Sequence, residues 1–331
     1  MMNKPTMMLF YSILMLSVLI SISANSWLTV WMGMEINLMS FLPLMMKKKS
    51  LHSKESSLTY FLIQTIASML LLMSLITTTL NMLNMHELML TSALMIKSGV
   101  FPFHFWLPKT MEGMYWNECL ILMTVQKVIP FMLMSLLIKP EPMTMMITIM
   151  SVMVGSIGGM NQTSLRKMMA YSSVTNNGWM ITAMMISQST WMIYLMMYSI
   201  TMLIMTNMMK KNNNHYINQM TSMNEPLEVS MFMLMNMLSI SGLPPMLGFM
   251  PKFLVMQSNI MQMKLVFMMT ITMMTMITIY YYLRMMFSTM MLTTNEMKWK
   301  TYMKTKNNKT TIMSMTPMIG LTLITIMMSI N

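Results

Sequence analysis

Met95-Ile96-Lys97-Ser98-Gly99-Val100-Phe101-Pro102-Phe103-His104-Phe105-Trp106-Leu107-Pro108-Lys109 sets a lysine, a helix break and a histidine inside what otherwise reads as a membrane span. A partner stretch follows at Ser241-Gly242-Leu243-Pro244-Pro245-Met246-Leu247-Gly248-Phe249-Met250-Pro251-Lys252. Overlaid without gaps on Ser98 to Lys109, it shares the opening Ser-Gly, the proline at the fifth place and the closing Pro-Lys. Two interrupted apolar segments in matching places point to a transporter-like chain built from internal repeats.

The surrounding composition agrees. Of 331 residues, 55% are hydrophobic and only 9% are charged. A soluble fold of this length needs far more surface charge. Apolar runs of about 20 residues, each able to cross about 30 Å of hydrocarbon as a helix, recur from end to end. The chain therefore reads as all-α, a polytopic helical membrane bundle. The net charge of +12 comes from residues between the runs, with no basic helix or aromatic platform to suit nucleic acid. A single Cys excludes a disulfide framework and a cysteine-ligated metal site. Sixty-six residues are Met, spread through every span. Packing would not select Met so heavily, because it specifies a core poorly. Metal-binding Met, by contrast, clusters in short polar motifs. The pattern fits a genetic code that reads an extra codon as Met in an AT-rich genome, as in many animal mitochondria. Met1-Met2-Asn3-Lys4-Pro5 leads directly into an apolar run without an Arg-rich or cleavable segment, as expected of a protein made in the organelle that uses it.

The expected spans are 6–24, 27–46, 57–80, 87–107, 117–138, 143–160, 170–187, 190–209, one long broken span over 229–258, 265–287 and 311–330, or about eleven crossings. With alternating crossings, one side receives Lys4, Lys47 to Lys49, Lys54, Lys109, Arg166, Lys167, Lys210, Lys211, Arg284 and the cluster from Lys298 to Lys309. The other side receives only Lys139 and Lys264. That bias is what the positive-inside rule asks of a correct topology. Splitting 229–258 into two crossings would move the Lys298–Lys309 cluster to the poor side, so one broken crossing is preferred. Pro244 and Pro245 have no amide hydrogen, which leaves the carbonyls of Ile240 and Ser241 without helix partners.

Four ionisable residues fall deep within spans. Glu35 lies nine residues from Ser26, Lys97 ten from Glu87, and Lys127 nine from Glu118. About ten residues is about 15 Å, half the hydrocarbon thickness. Lys252 opens the second half of the broken span at similar depth. A charge there costs at least about 2.5–3.5 kcal/mol, and a lysine stem of roughly 6 Å does not snorkel out from the midplane. Each must face the bundle interior, water or a partner. Burial penalises an ammonium and a nearby carboxylate stabilises it, so a buried Lys facing a Glu can load and release a proton. Glu35 with Lys97 is the candidate pair. A static ion pair would serve packing equally well, but it leaves Lys127 and Lys252 without a carboxylate in any span. His104 is either a relay, since imidazole titrates near physiological pH, or a hydrogen-bonded interfacial residue among Phe103, Phe105 and Trp106. Trp106, Tyr115, Trp116 and Tyr280 to Tyr282 read as interfacial belts. The spans hold no phosphate loop, metal-ligand spacing or haem-ligating His pair.

Trp31-Met32-Gly33-Met34-Glu35-Ile36-Asn37, the Phe-His-Phe-Trp core after Lys97, Gln126-Lys127, and Gly242-Leu243-Pro244-Pro245 with Gly248 to Lys252 occur in order over essentially the whole chain. Together they resemble the antiporter-like membrane subunits of mitochondrial NADH:ubiquinone oxidoreductase, respiratory complex I. These subunits are in turn similar to Mrp-type cation/proton antiporters, and the Met usage is arthropod-like. The resemblance implies two inverted repeats, each with a broken helix, in one transmembrane domain over 1–331. The repeats would cover about 27–160 and 170–287, with a C-terminal helix at 311–330. It implies proton translocation across the mitochondrial inner membrane, coupled to electron transfer from NADH to ubiquinone. Glu35, Lys97, Lys127 and Lys252 would form the central proton-transfer axis, with His104 beside it. NADH, FMN, iron–sulfur clusters and ubiquinone would belong to other subunits. The expected partners are neighbouring antiporter-like subunits and membrane lipids such as cardiolipin, with the N-terminus in the matrix and the C-terminus in the intermembrane space. A free-standing Mrp-like cation/proton antiporter is the alternative, and a purely structural spacer is a third reading that midplane lysines disfavour. Relatives often carry a histidine in the Tyr171–Trp179 segment, where this chain has Asn176, which exchanges no proton near pH 7.

Overall fold

The computed structural model describes residues 4–46, 50–79, 83–221, 227–261 and 264–293. It divides at Ile147/Thr148 into two compact units. The first holds α1 (Lys4–Ile22), α2 (Trp27–Met45), α3 (Leu51–Thr79), α4 (Leu83–Ser98), α5 (Trp106–Gly113), α6 (Trp116–Met123) and α7 (Val125–Leu137). Helix α8 (Pro142–Met160) runs across the division. The second holds α9 (Leu165–Met184), α10 (Gln188–Asn212), α11 (Ile217–Thr221), α12 (Leu227–Ser241), α13 (Phe249–Met261) and α14 (Leu265–Thr293). Helices satisfy their own backbone, which is what lipid demands.

Seven of the described helical stretches are long and apolar enough to cross a membrane. The others that read as spans are polar or interrupted. Helix α9 is rich in Ser, Thr and Asn. Helices α4 and α12 stop at the two breaks. The expected count of eleven crossings is not established by the described helices. The expected span 311–330 and the basic cluster Lys298–Lys309 lie outside the described residues.

Packing inside each unit relies on small residues, as it must where lipid is as apolar as Leu. On α2, a Cβ added at Gly33 would lie 3.0 Å from Ser21 Cβ of α1. In the second unit α8 and α9 close through Gly155 against Thr175 and Gly178 against Ser151 and Val152. Helix α9 is the core of that unit, buried almost along its whole length. Apolar faces turn outward, as Met8, Leu16 and Leu19 do on α1 and Met269, Met273 and Met276 on α14.

One reading is corrected. Trp106, Trp116, Tyr281 and Tyr282 are buried core residues, and of that set Tyr280 stands 55% exposed. The span expected over 117–138 is present as the apolar stretch Trp116–Leu137, and within it α6 gives way to α7 at Thr124, whose φ is −118° and ψ −74°. Its hydroxyl donates to the Leu120 carbonyl at 2.7 Å.

The two breaks fold alike. Gly99 (φ 70°) ends α4 and Gly242 (φ 85°) ends α12, each in the left-handed region that suits glycine. Val100 N–H reaches the Met95 carbonyl at 3.1 Å and Gly99 N–H the Ile96 carbonyl at 3.3 Å. Leu243 N–H reaches Leu238 at 3.4 Å and Gly242 N–H reaches Ser239 at 3.1 Å. Both are Schellman ends, the 6→1 and 5→2 bonds that satisfy carbonyls of a last turn. At the second break the chain folds back closely: a Cβ added at Gly248 would fall on the carbonyl oxygen of Ser239. Gly248→Ala must push the start of α13 off the end of α12. We expect it to cost about 1–3 kcal/mol, the usual range for overpacking. A clear drop in the thermal midpoint checks this; a parent-like midpoint would show that the break is slack.

Candidate proton-transfer site

Prolines make these breaks polar. Pro245 lacks the amide that would serve the Ser241 carbonyl. That carbonyl instead accepts from Lys252 Nζ at 2.7 Å, reached from the first turn of α13. Lys252 is only 4% exposed, and its ammonium lies 5.8 Å from the centre of the Trp179 ring. A cation is favoured at the C-terminal end of a helix, where carbonyls carry partial negative charge. Lys252 thus occupies the negative end of α12 although it belongs to α13. At the first break the cross-break donor is Trp106, whose indole Nε1 donates to the Ile96 carbonyl at 3.0 Å. Lys97 itself occupies the last turn of α4. Both lysines therefore sit at the C-terminal end of the first half-helix.

In the first unit Lys97 and Lys127 line one cavity of ≈ 20 Å³, measured as the space a water's centre can occupy. That suffices for about one water. Asn37, Tyr60, Gln64, Ser98 and Gln126 supply further polar lining. Asn37 Nδ2 donates to Gln126 Oε1 at 2.8 Å, and Gln126 Nε2 donates to Asn37 Oδ1 at 3.1 Å. The Tyr60 hydroxyl stands 3.5 Å from Gln126 Oε1. Tyr60 and Gln64 were not singled out from sequence, although on α3 they share one buried stripe with Ser53, Ser57 and Ser68, polar residues that recur at helical spacing.

Glu35 is half-buried on α2, and its Oε1 has no hydrogen-bond partner among the described residues. No closed salt bridge joins it to Lys97 among the described residues. His104 does not line the cavity. It is buried in the turn between α4 and α5, its ring 4.0 Å from that of Phe105 and 6.3 Å from that of Phe101. The Pro102 carbonyl is near, but no well-formed hydrogen bond reaches Nδ1.

In the second unit Asn176 is engaged at both ends. Its Nδ2 donates to the Ser172 carbonyl at 2.9 Å and its Oδ1 accepts from the Tyr194 hydroxyl at 2.8 Å. Asn236 Oδ1 and Asn259 Oδ1 are buried with no donor among the described residues. Buried oxygens of this kind are where internal water binds. Among the described residues no group of three or more His, Cys, Asp or Glu is arranged to hold a metal ion.

Residues 24–278 match the model of the NADH:quinone oxidoreductase/Mrp antiporter transmembrane family. The chain belongs to that family. Within it, NADH-ubiquinone oxidoreductase chain 2 of the mosquito Anopheles gambiae is 45% identical over 78% of each chain. The protein of the same name from the locust Locusta migratoria is 42% identical over the same shares. In fold the chain is similar to a subunit of respiratory complex I from Thermus thermophilus with bound aureothin. The TM-score is 0.79 at 18% identity, covering 95% of this chain and 78% of that one. Both breaks, Glu35, Lys97, Lys127, Lys252 and the Asn37–Gln126 pair lie within the stretch that matches the NADH:quinone oxidoreductase/Mrp antiporter model.

Proposed function

We propose that this chain is a core membrane subunit of respiratory complex I that moves protons across the mitochondrial inner membrane through Glu35, Lys97, Lys127 and Lys252. Subunit identity rests on the insect relatives named chain 2 of NADH-ubiquinone oxidoreductase. The single observation that supports proton transfer is the polar cavity lined by both Lys97 and Lys127. Stability alone favours Leu at such positions, because a midplane ammonium costs at least about 2.5–3.5 kcal/mol. Glu35 biases Lys97 through space, so a change in the carboxylate's charge or position alters how firmly Lys97 holds its proton. Because no salt bridge closes the pair, that bias can change without breaking a bond. Lys252 plays the outlet part, its ammonium held by the Ser241 carbonyl and close to the Trp179 ring. His104 is a secondary relay whose aromatic surroundings keep it apart from the lysine cavity. Asn176, occupied at both ends, acts as a structural bond and not as a proton carrier.

The redox chemistry belongs elsewhere in the assembly: NADH, FMN, iron–sulfur clusters and ubiquinone are held by other subunits, and this chain converts their work into proton movement. Its partners are neighbouring antiporter-like subunits, with anionic lipid such as cardiolipin against the basic loops. The two broken helices mark two inverted repeats, about 27–160 and 170–287, in one transmembrane domain. The free-standing Mrp-like antiporter shares the family and the fold. Against it stand the chain-2 relatives and the Met-rich composition.

Lys97→Met in assembled complex I is expected to lower coupled turnover while assembly persists. Simultaneous assays of NADH oxidation and proton uptake in liposomes decide it, and an unchanged proton-to-electron ratio would defeat the role. Lys252→Arg separates a titrating lysine from a fixed charge. Arginine keeps the charge but does not release its proton at working pH, so pumping should fall while the fold survives. Pumping preserved in Lys252→Arg and lost in Lys252→Met would make Lys252 a fixed cap on α12. Topology has its own check: the Lys298–Lys309 cluster should face the matrix and Asn331 the intermembrane space. Protease added outside mitoplasts should leave that cluster intact, and cleavage there would reverse the orientation.

A further inference from the structure

The cavity shared by Lys97 and Lys127 is also lined by both members of the Asn37–Gln126 carboxamide pair. We propose that this pair is a latch that controls water-mediated proton transfer between the two lysines. The proposal rests on the proton-transfer reading above and names the residues that would regulate it.

A carboxamide does not titrate near pH 7, so neither Asn37 nor Gln126 can take up the proton itself. Transfer must run through water. While the two amides are paired, each commits one donor and one acceptor to the other. Those groups are then unavailable to order water. The remaining space of ≈ 20 Å³ holds about one water. Parting the pair returns a donor and an acceptor on each side to the cavity.

The parted state has somewhere to go. The Tyr60 hydroxyl is already 3.5 Å from Gln126 Oε1 and Gln64 lines the same wall, so Gln126 has an alternative partner on α3. The backbone beneath Gln126 is also less restrained, because Pro130 offers no amide to its carbonyl. Each half of the latch is tied to a charge. Asn37 lies two residues beyond Glu35 on α2, and Gln126 adjoins Lys127 on α7. A shift of α2 that alters Glu35 must carry Asn37 with it, and one that alters Lys127 must carry Gln126. Protonation and latch position are thereby coupled through two short pieces of helix. A pair that merely pinned α2 to α7 would need neither the cavity nor the neighbouring hydroxyl.

The test uses assembled complex I in liposomes, with NADH oxidation and proton uptake measured together. Asn37→Ala removes the latch and should lower the proton-to-electron ratio through slip. The exchanged double variant, Asn37→Gln with Gln126→Asn, keeps two reciprocal bonds over the same combined length and should restore the ratio towards the parent. Should Asn37→Ala not assemble, Gln126→Met keeps the volume, removes the pairing and is read in the same way. Lys97→Met is run alongside. A lowered ratio in Lys97→Met beside a parent ratio in Asn37→Ala sinks the latch alone. Parent ratios in both sink the proton-transfer reading beneath it. Loss of assembly in Asn37→Ala, Gln126→Met and the exchange together would make the pair a packing contact and overturn the proposal.

Discussion

A backbone carbonyl released at membrane depth must find a donor, and that constraint shapes both halves of this chain. Lipid offers nothing to an unpaired peptide group, so a broken helix persists only where the protein or internal water replaces the lost bond. Pro245 releases the Ser241 carbonyl, and Lys252 Nζ takes it at 2.7 Å. At the first break the carbonyl of Ile96 receives the indole of Trp106 at 3.0 Å. In each case a side chain from the second half-helix reaches back to the last turn of the first. The glycines at 99 and 242 make the return possible, because the positive φ they adopt turns the chain sharply enough for the two halves to meet.

The same constraint decides where positive charge can reside. The end of a half-helix is a fixed partial negative charge that costs no reorganisation when an ammonium docks there. Lys97 reaches such an end by belonging to α4, and Lys252 reaches one by folding back from α13. The overlaid sequences would place Lys252 opposite Lys109, yet Lys109 is exposed while Lys252 is buried. Matching residues in the two breaks have thus diverged in role, while the electrostatic niche has been kept. Such a niche can hold a cation without a carboxylate partner, as the Ser241 carbonyl holds Lys252.

Much of this was legible in sequence for a physical reason. Gly and Pro act on the backbone next to them, so Ser98-Gly99 and Ser241-Gly242 with their following prolines announced both breaks, down to the carbonyl that Lys252 now caps. Burial is legible too, since a lysine far from either end of an apolar run must turn inward, and Lys97, Lys127 and Lys252 are buried. Facing in lipid reverses the usual pattern. Helix α3 presents Tyr60 and Gln64 to the cavity on a buried polar stripe with Ser53, Ser57 and Ser68, while Leu58, Leu62 and Ile66 turn outward, so a search for an inward apolar face misses it. Trp106 illustrates the opposite failure: an aromatic near a span end has the composition of a belt, and only the fold reveals the carbonyl awaiting its indole. The interruption at Thr124 carries no glycine and no adjacent proline, so the sequence around it reads as continuous helix.

The methionine load is tolerable for the same reason that the breaks are. Between lipid and protein there is little hydrophobic gain in choosing Leu over Met, since both neighbours are apolar. The exposed Met15, Met69 and Met273 meet a solvent that makes no demand on their shape. Where helices touch, specificity comes from close approach at Gly33, Gly155 and Gly178, and from directional bonds such as Asn37–Gln126 and Tyr194–Asn176. Flexible Met side chains fill the space those contacts leave, adapting to gaps that a branched residue would fit in one rotamer only. A chain whose register is set by small residues and polar pairs can therefore drift far in its apolar composition. What it cannot lose is the set of donors that closes its broken backbone.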